Sequence, residues 1–250
     1  MPKKKMIKNK FSLILLIFLL CSCQSINRNR EELNIPPSIV YFTFDDGPNV
    51  HGDTTARLLD VLNKYQIKAV FCLLGENAER YPDLVKRIYD EGHCIVNHGY
   101  SDKWASGMND DEFRNNLVRG RMAISAALGH DMYPKLYRPH GGFYYSSQDK
   151  IIRNEGYVLV LSNIRVYDAV IDRTKQHKVI KKIIRKAENQ GGGIILLHDA
   201  RDSYILAEAQ IANKPDGVFN RSWIPDAVEE IINILLNKGF IISDEFSKLY

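Results

Sequence analysis

Ser38-Ile-Val-Tyr-Phe-Thr-Phe-Asp-Asp-Gly-Pro48 reads in two halves. Ser38 to Phe44 is β-branched and aromatic, the composition of a strand. Asp45-Asp46-Gly47-Pro48 then ends it with turn residues. Two carboxylates leave the strand end side by side, and neighbouring carboxylates suit a cation, which relieves their mutual repulsion. Alone, such a tetrapeptide is usually only a turn. Its significance depends on what the rest of the chain brings beside it.

Downstream, apolar spacing predicts a helix over 53–65, carried by Leu58, Leu59, Val61 and Leu62, and a strand over 69–74. A helix over 81–91 opens near Pro82, and a short strand covers 93–98. A long amphipathic helix is expected over 110–128, with Phe113, Leu117, Met122 and Ile124 on its apolar side. Strands at 135–138, 157–162, 193–197 and 240–243 alternate with helices at 148–155, 174–189 and 225–237. Gly156 and Gly239 each close the helix before them. Alternation of this kind implies parallel β/α units. Asp45, Asp46, His98, Asp102, Arg138, Asp168 and His198 all fall just after predicted strands. In parallel α/β folds the C-terminal strand ends face one crevice, so these distant residues converge there.

His98 and Asp102 are four residues apart and project together if they share a helical turn. One aspartate of the pair, His98 and Asp102 then make three protein ligands with an open position, the pattern of a catalytic metal. Such a metal acidifies a bound water and polarises a carbonyl.

Four stretches together resemble the polysaccharide deacetylases with their NodB-type domain, carbohydrate esterase family 4. They are Thr43-Phe44-Asp45-Asp46-Gly47-Pro48, Gly92-His93-Cys94-Ile95-Val96-Asn97-His98, Tyr137-Arg138-Pro139 and Leu196-Leu197-His198-Asp199. The resemblance runs from Ile39 to Phe240. It implies a distorted, incomplete (β/α) barrel and hydrolysis of N-acetyl groups on a GlcNAc-containing polysaccharide such as peptidoglycan, a chitin-like polymer or poly-GlcNAc. It also implies a divalent metal, zinc first and cobalt, manganese or nickel as alternatives. By the same resemblance Asp45 is the general base, held by Arg138. Asp46 and His98 bind the metal. His198 is the general acid, paired with Asp168, and a backbone N–H near Gly141 helps hold the oxyanion.

The departures are informative. The family's second motif ends on another histidine where this chain has Asp102. An Asp46–His98–Asp102 set adds negative charge, lowers the Lewis acidity of the ion and favours harder metals; the other reading makes Asp102 a helix cap beside a weakened site. The third motif continues His140-Gly141-Gly142, where His140 is either a substrate or metal contact or a plain loop histidine. His93, early in its strand, matches a family position that is not a ligand. Of the fourth motif only Asp168 survives, beside Ser162, Arg165 and Ala169, so the acetyl pocket has reshaped walls. Residues 201–223 carry no motif; with Tyr204, Phe219 and Trp223 they form either a glycan-contact lid or a packed insertion.

The chain's 250 residues suit one barrel-sized domain, with 45% hydrophobic and 26% charged residues. Its net charge of +4 owes much to Lys3, Lys4, Lys5, Lys8 and Lys10, leaving no basic stripe for nucleic acid. After those lysines, Phe11 to Leu20 has the length of a signal-peptide core, and Leu20-Cys21-Ser22-Cys23 resembles a lipobox. Residues 1–22 are therefore expected to be a lipoprotein signal, Cys23 the lipidated residue, 23–37 a polar tether and 38–250 the exported domain, anchored to the bacterial cell membrane. Cys72 and Cys94, both in apolar stretches, are expected as free thiols. A monomer acting on an acetylated glycan is expected. The readings that compete are an O-acetyl esterase and an inactive glycan-binding lipoprotein.

Overall fold

The computed structural model describes residues 23–25, 27–28, 30–201 and 204–249. The signal-peptide expectation lies outside the described residues.

Strand β1 spans Cys23–Ser25, β2 Ile39–Asp45, and helix α1 Thr54–Lys64. There follow β3 (Val70–Leu73), α2 (Gly75–Arg80), α3 (Pro82–Asp90), β4 (Cys94–Asn97), α4 (Asp110–Leu128), β5 (Leu136–Tyr137) and β6 (Phe143–Tyr145). The chain continues through α5 (Ser146–Asn154), β7 (Val158–Leu159), β8 (Ile164–Arg165), α6 (Gln176–Gln190), β9 (Gly193–His198), α7 (Tyr204–Asn213), α8 (Ile224–Asn237) and β10 (Ile241–Ile242). Eight of these strands form one sheet in the order β7-β5-β4-β3-β2-β9-β8, with β10 beside the start of β2, and every pairing in it is parallel. The sheet curls into a half-barrel that stays open between β7 and β8.

The alternation of side chains along each strand sorts the residues into two populations. Val40, Phe42, Phe44, Phe71, Leu73 and Ile95 face the helices and join the large core with Leu58, Leu59, Leu62, Val228 and Ile231. Tyr41, Val70, Cys72, Val96, Leu136, Val160 and Ile194 face inward and form a second, smaller core. One period further on, the same inward rows end in Asp45, His98, Arg138 and His198, so the register that builds the core also delivers the site. Cys72 and Cys94 are free thiols on adjacent strands.

Met122 is 59% exposed, and the inner face of α4 is made instead by Phe113, Leu117, Gly120, Ala123 and Ile124. Gly120 lies there because the backbone of Gly99 and the side chain of Asn97 press against it. The stretch 30–37, read as tether, packs on the domain: Leu33 and Ile35 are buried in the inner core, and the Arg30 side chain donates to the carbonyls of Gln190 and Ile35. Two apolar residues in a polar run suffice to dock it. Upstream, β1 pairs antiparallel with β6.

Candidate active site

The turn after β2 carries the centre. Asp45 ends the strand; Asp46 follows with φ 74°, a left-handed conformation that costs a non-glycine residue about 1–3 kcal/mol. Asn77 of α2 holds that turn by donating to the Asp46 carbonyl at 2.8 Å. Gly47 has no room for a side chain, since a Cβ there would sit 2.6 Å from the Asp199 carboxylate. Asp199 is buried, its carboxylate accepting from the Thr55 hydroxyl at 2.5 Å. Burial pushes its carboxyl up to about 7.

Arg138 leaves β5 fully buried. Its Nη1 donates to Asp45 Oδ1 at 2.6 Å and to Thr43 Oγ1 at 2.8 Å. Its Nε and Nη2 reach the Val160 and Leu161 carbonyls at 3.3 and 3.2 Å, at the opening between β7 and β8 where the sheet offers those groups no strand partner. Burial alone would push Asp45 up, but Arg138, joined by His98 and His198, holds it below the usual carboxylate range. Asp45 is therefore ionised at neutral pH.

Asp46, His98 and His140 meet beside it. One ligand atom from each lies within 4.8 Å of the others. Asp46 Oδ1 is 3.4 Å from His98 Nε2 and 3.3 Å from His140 Nε2, yet it is buried with no hydrogen-bond partner. His98 Nδ1 sits 2.7 Å from the Arg138 carbonyl. A carbonyl only accepts, so Nδ1 carries a proton and Nε2 faces two carboxylates, the arrangement of a metal-ligating histidine. Lone pairs and carboxylates crowded together need a cation between them. Burial pushes Asp46 up, but its contacts with His140 and His98 hold it well below the usual range. Burial pushes His140 down, and Asp46 more than reverses this. The field that draws a proton onto His140 would equally hold a divalent metal, so these residues fit one.

Asp102 is not in this cluster. Residues 98–102 are not helical: Gly99 has φ 94° and turns the chain away, so the four-residue spacing from His98 does not place the two on one face. Asp102 adds its charge to the field at His140 and at Glu76. With two imidazoles and one carboxylate as donors, the hard-metal preference expected of an Asp-His-Asp set lapses. His93 faces the opposite end of the barrel, where its Nδ1 accepts from the Ala69 N–H at 3.1 Å.

The His198 side of the cleft is equally fixed. His198 Nδ1 is 2.9 Å from Asp168 Oδ1, and Asp168 Oδ2 accepts from the His198 N–H at 2.9 Å. Burial pushes His198 down, but Asp168 dominates and raises it to about 9. Arg221, wholly buried, donates Nη2 to Asp168 Oδ2 at 2.5 Å and also reaches the Asp168 and His198 carbonyls at 3.0 and 3.2 Å. Sequence reasoning passed over Arg221; its only signal was a cation beside Trp223 in a segment without a motif. Trp223 is 1% exposed and stacks under that guanidinium, so it does not contact glycan. The aromatic wall comes from Trp104, Phe143 and Tyr167 around a cleft of about 290 Å³ that Asp45, Asp46, His98, His140, Gly141 and His198 also line.

A family model described as Polysaccharide deacetylase matches residues 33–160. A peptidoglycan-N-acetylglucosamine deacetylase of Bacillus cereus is 38% identical over 129 residues, 52% of this chain and 46% of that protein, so the match spans about half of that relative's length. The crystal structure of a peptidoglycan N-acetylglucosamine deacetylase superposes with a TM-score of 0.65 at 30% identity, covering 83% of this chain and 86% of the other. A family 4 acetyl xylan esterase of Clostridium thermocellum, in complex with a cobalt ion, gives 0.64 at 27% identity, covering 82% and 87%.

Proposed function

The chain belongs to the polysaccharide deacetylase family, and on that premise we propose that it hydrolyses N-acetyl groups of a GlcNAc-containing polysaccharide of the cell envelope with a divalent metal. The observation that carries this reading is the juxtaposition, in one cleft, of an ionised Asp45, a metal-fitting Asp46–His98–His140 cluster and a charged His198. Bound there, a divalent metal supplies Lewis acidity toward the acetamide carbonyl and a more acidic water. The ligand set is Asp46, His98 and His140, and its imidazoles favour zinc, cobalt or nickel over manganese.

The chain's own groups move the protons. Asp45 Oδ1 is committed to Arg138, so Oδ2 takes the proton from water as it attacks the carbonyl carbon. The charged His198, whose Nδ1 is tied to Asp168, releases the Nε2 proton to the amide nitrogen as the C–N bond breaks, giving acetate and free amine. The backbone N–H at Gly141, on the cleft wall, would meet the developing oxyanion. Acid and base are set apart because Arg138 depresses one group and Asp168 raises the other.

The pH profile follows. Activity needs Asp45 ionised and His198 protonated, so it falls as pH rises through the His198 value, about 9. Asp168→Asn removes the charge that raises His198, so the alkaline limb of kcat/KM moves down toward about 6.5, the ordinary imidazole value. An alkaline limb unmoved in Asp168→Asn contradicts His198 as the acid.

O-acetyl ester hydrolysis is a second reading, favoured by the similarity to an acetyl xylan esterase. Parallel assays of acetate release from N-acetyl chito-oligosaccharides, peptidoglycan and acetylated xylan decide between them. The inactive glycan-binder reading gains nothing from the site, whose acid, base and supporting ion pairs are complete. Export and lipidation at Cys23 form part of the same proposal, supported by the apolar run Phe11–Leu20 behind lysines. Cys23→Ser then moves the protein out of the membrane fraction; unchanged fractionation argues against the anchor.

A further inference from the structure

The same cleft holds a cation that the deacetylation chemistry leaves unused. Arg165 ends β8, paired with Leu196, so its side chain emerges on the inward face two residues before His198 on the neighbouring strand. Its guanidinium has a made seat. A Cβ at Gly142 would meet Arg165 Nη1 and Nη2 at 2.9 Å, so the space belongs to the arginine only because residue 142 is glycine. On its other side the Tyr167 ring centroid lies 5.6 Å away. Among the described residues Arg165 forms no ion pair or hydrogen bond. The other charges of the cleft are committed: Asp45 to Arg138, Asp168 to His198 and Arg221, Asp46 to the two imidazoles. Arg201, lying on the Ala169 carbonyl and the Phe219 ring, adds a second positive charge to the same wall.

Gly141 does for an aromatic what Gly142 does for the cation. A Cβ there would sit 2.8 Å from Trp104 Cγ, and the indole over it is 61% exposed. The double glycine thus seats a flat apolar surface and a guanidinium side by side on the cleft wall. A sugar ring lies well on the first, and a carboxylate meets the second in the bidentate geometry arginine offers. A neutral glycan satisfies only one of the two.

We propose that Arg165 binds a carboxylate on the glycan, so that the substrate class is an anionic, carboxylate-bearing N-acetylated polysaccharide rather than a neutral one. The inference rests on the deacetylase reading above and deepens it.

The test uses peptidoglycan strands stripped of stem peptides, whose muramic lactyl groups are free carboxylates, and the same strands with those groups amidated by carbodiimide. In the metal-loaded wild type, kcat/KM for acetate release is expected to be about tenfold higher on the carboxylate strands, the factor for one charge-assisted hydrogen bond. In Arg165→Gln the ratio falls to near one, and in Arg165→Lys it is intermediate. A wild-type ratio near one overturns the proposal, as does a ratio preserved in Arg165→Gln. If Arg165 only supports the fold, Arg165→Gln lowers both rates and keeps the ratio, which also overturns it. No acetate from either strand or from chito-oligosaccharides sinks the parent reading, an outcome distinct from activity without charge preference.

Discussion

Replacing His140 with alanine is expected to strip the metal from the protein, lowering affinity at least about 100-fold and taking turnover with it, whereas Asp102→Asn keeps both within about tenfold. The contrast follows from geometry. His140 Nε2 lies 3.3 Å from Asp46 Oδ1 and faces His98 across 5.1 Å between ring centroids. Asp102 sits in a loop that leaves the site at Gly99, lies outside the Asp46–His98–His140 cluster, and adds its charge to the field at His140. His140→Ala leaves Asp46 and His98, two ligands that do not close a three-donor site. Metal content after dialysis, read beside acetate release, distinguishes the two sets. Retention by His140→Ala with loss by Asp102→Asn restores the Asp46–His98–Asp102 set that the four-residue spacing suggests.

Asp45→Asn should keep the metal and abolish turnover. The loss of the base accounts for about 10²–10⁴ in rate. The same substitution removes the carboxylate that pairs with Arg138, which is wholly buried. Unpairing a buried charge costs about 3–5 kcal/mol, an upper bound here because the asparagine oxygen still accepts from Nη1 and Thr43, Val160 and Leu161 still accept from the guanidinium. The variant is therefore expected to unfold at lower urea concentration while remaining folded and metal-bound in buffer. Substantial acetate release by a folded Asp45→Asn protein contradicts the assignment of the base.

How much of this the sequence disclosed depends on whether each feature is local. The strand Ile39–Asp45 and its turn are written in contiguous residues, β-branched and aromatic positions followed by turn formers, and the fold follows from the repeated alternation of such strands with amphipathic helices. Asp45 and His198 end strands, Arg138 follows one directly and Asp168 stands three residues past another, so all four were legible as strand-end positions, which the parallel sheet carries to one rim. His140 was legible only as an open alternative, since nothing local distinguishes a ligand in Arg-Pro-His from a loop histidine; the deciding fact is its distance to Asp46. Asp102 misled because spacing of four implies a shared face only in a helix. Helix Gly75–Arg80, polar and six residues long, shows no apolar period, and Ile164–Arg165 is too short to show any. Arg221 acts through contacts 53 residues away in the chain, which no local pattern records.

The most direct test of the central claim is acetate release from N-acetyl chito-oligosaccharides and peptidoglycan by the domain after chelation, and again after zinc, cobalt, nickel or manganese is returned. Release that vanishes on chelation and returns with metal, zinc, cobalt or nickel ahead of manganese, is the predicted result. Release indifferent to chelation, or a protein that neither binds metal nor frees acetate from any glycan, contradicts it.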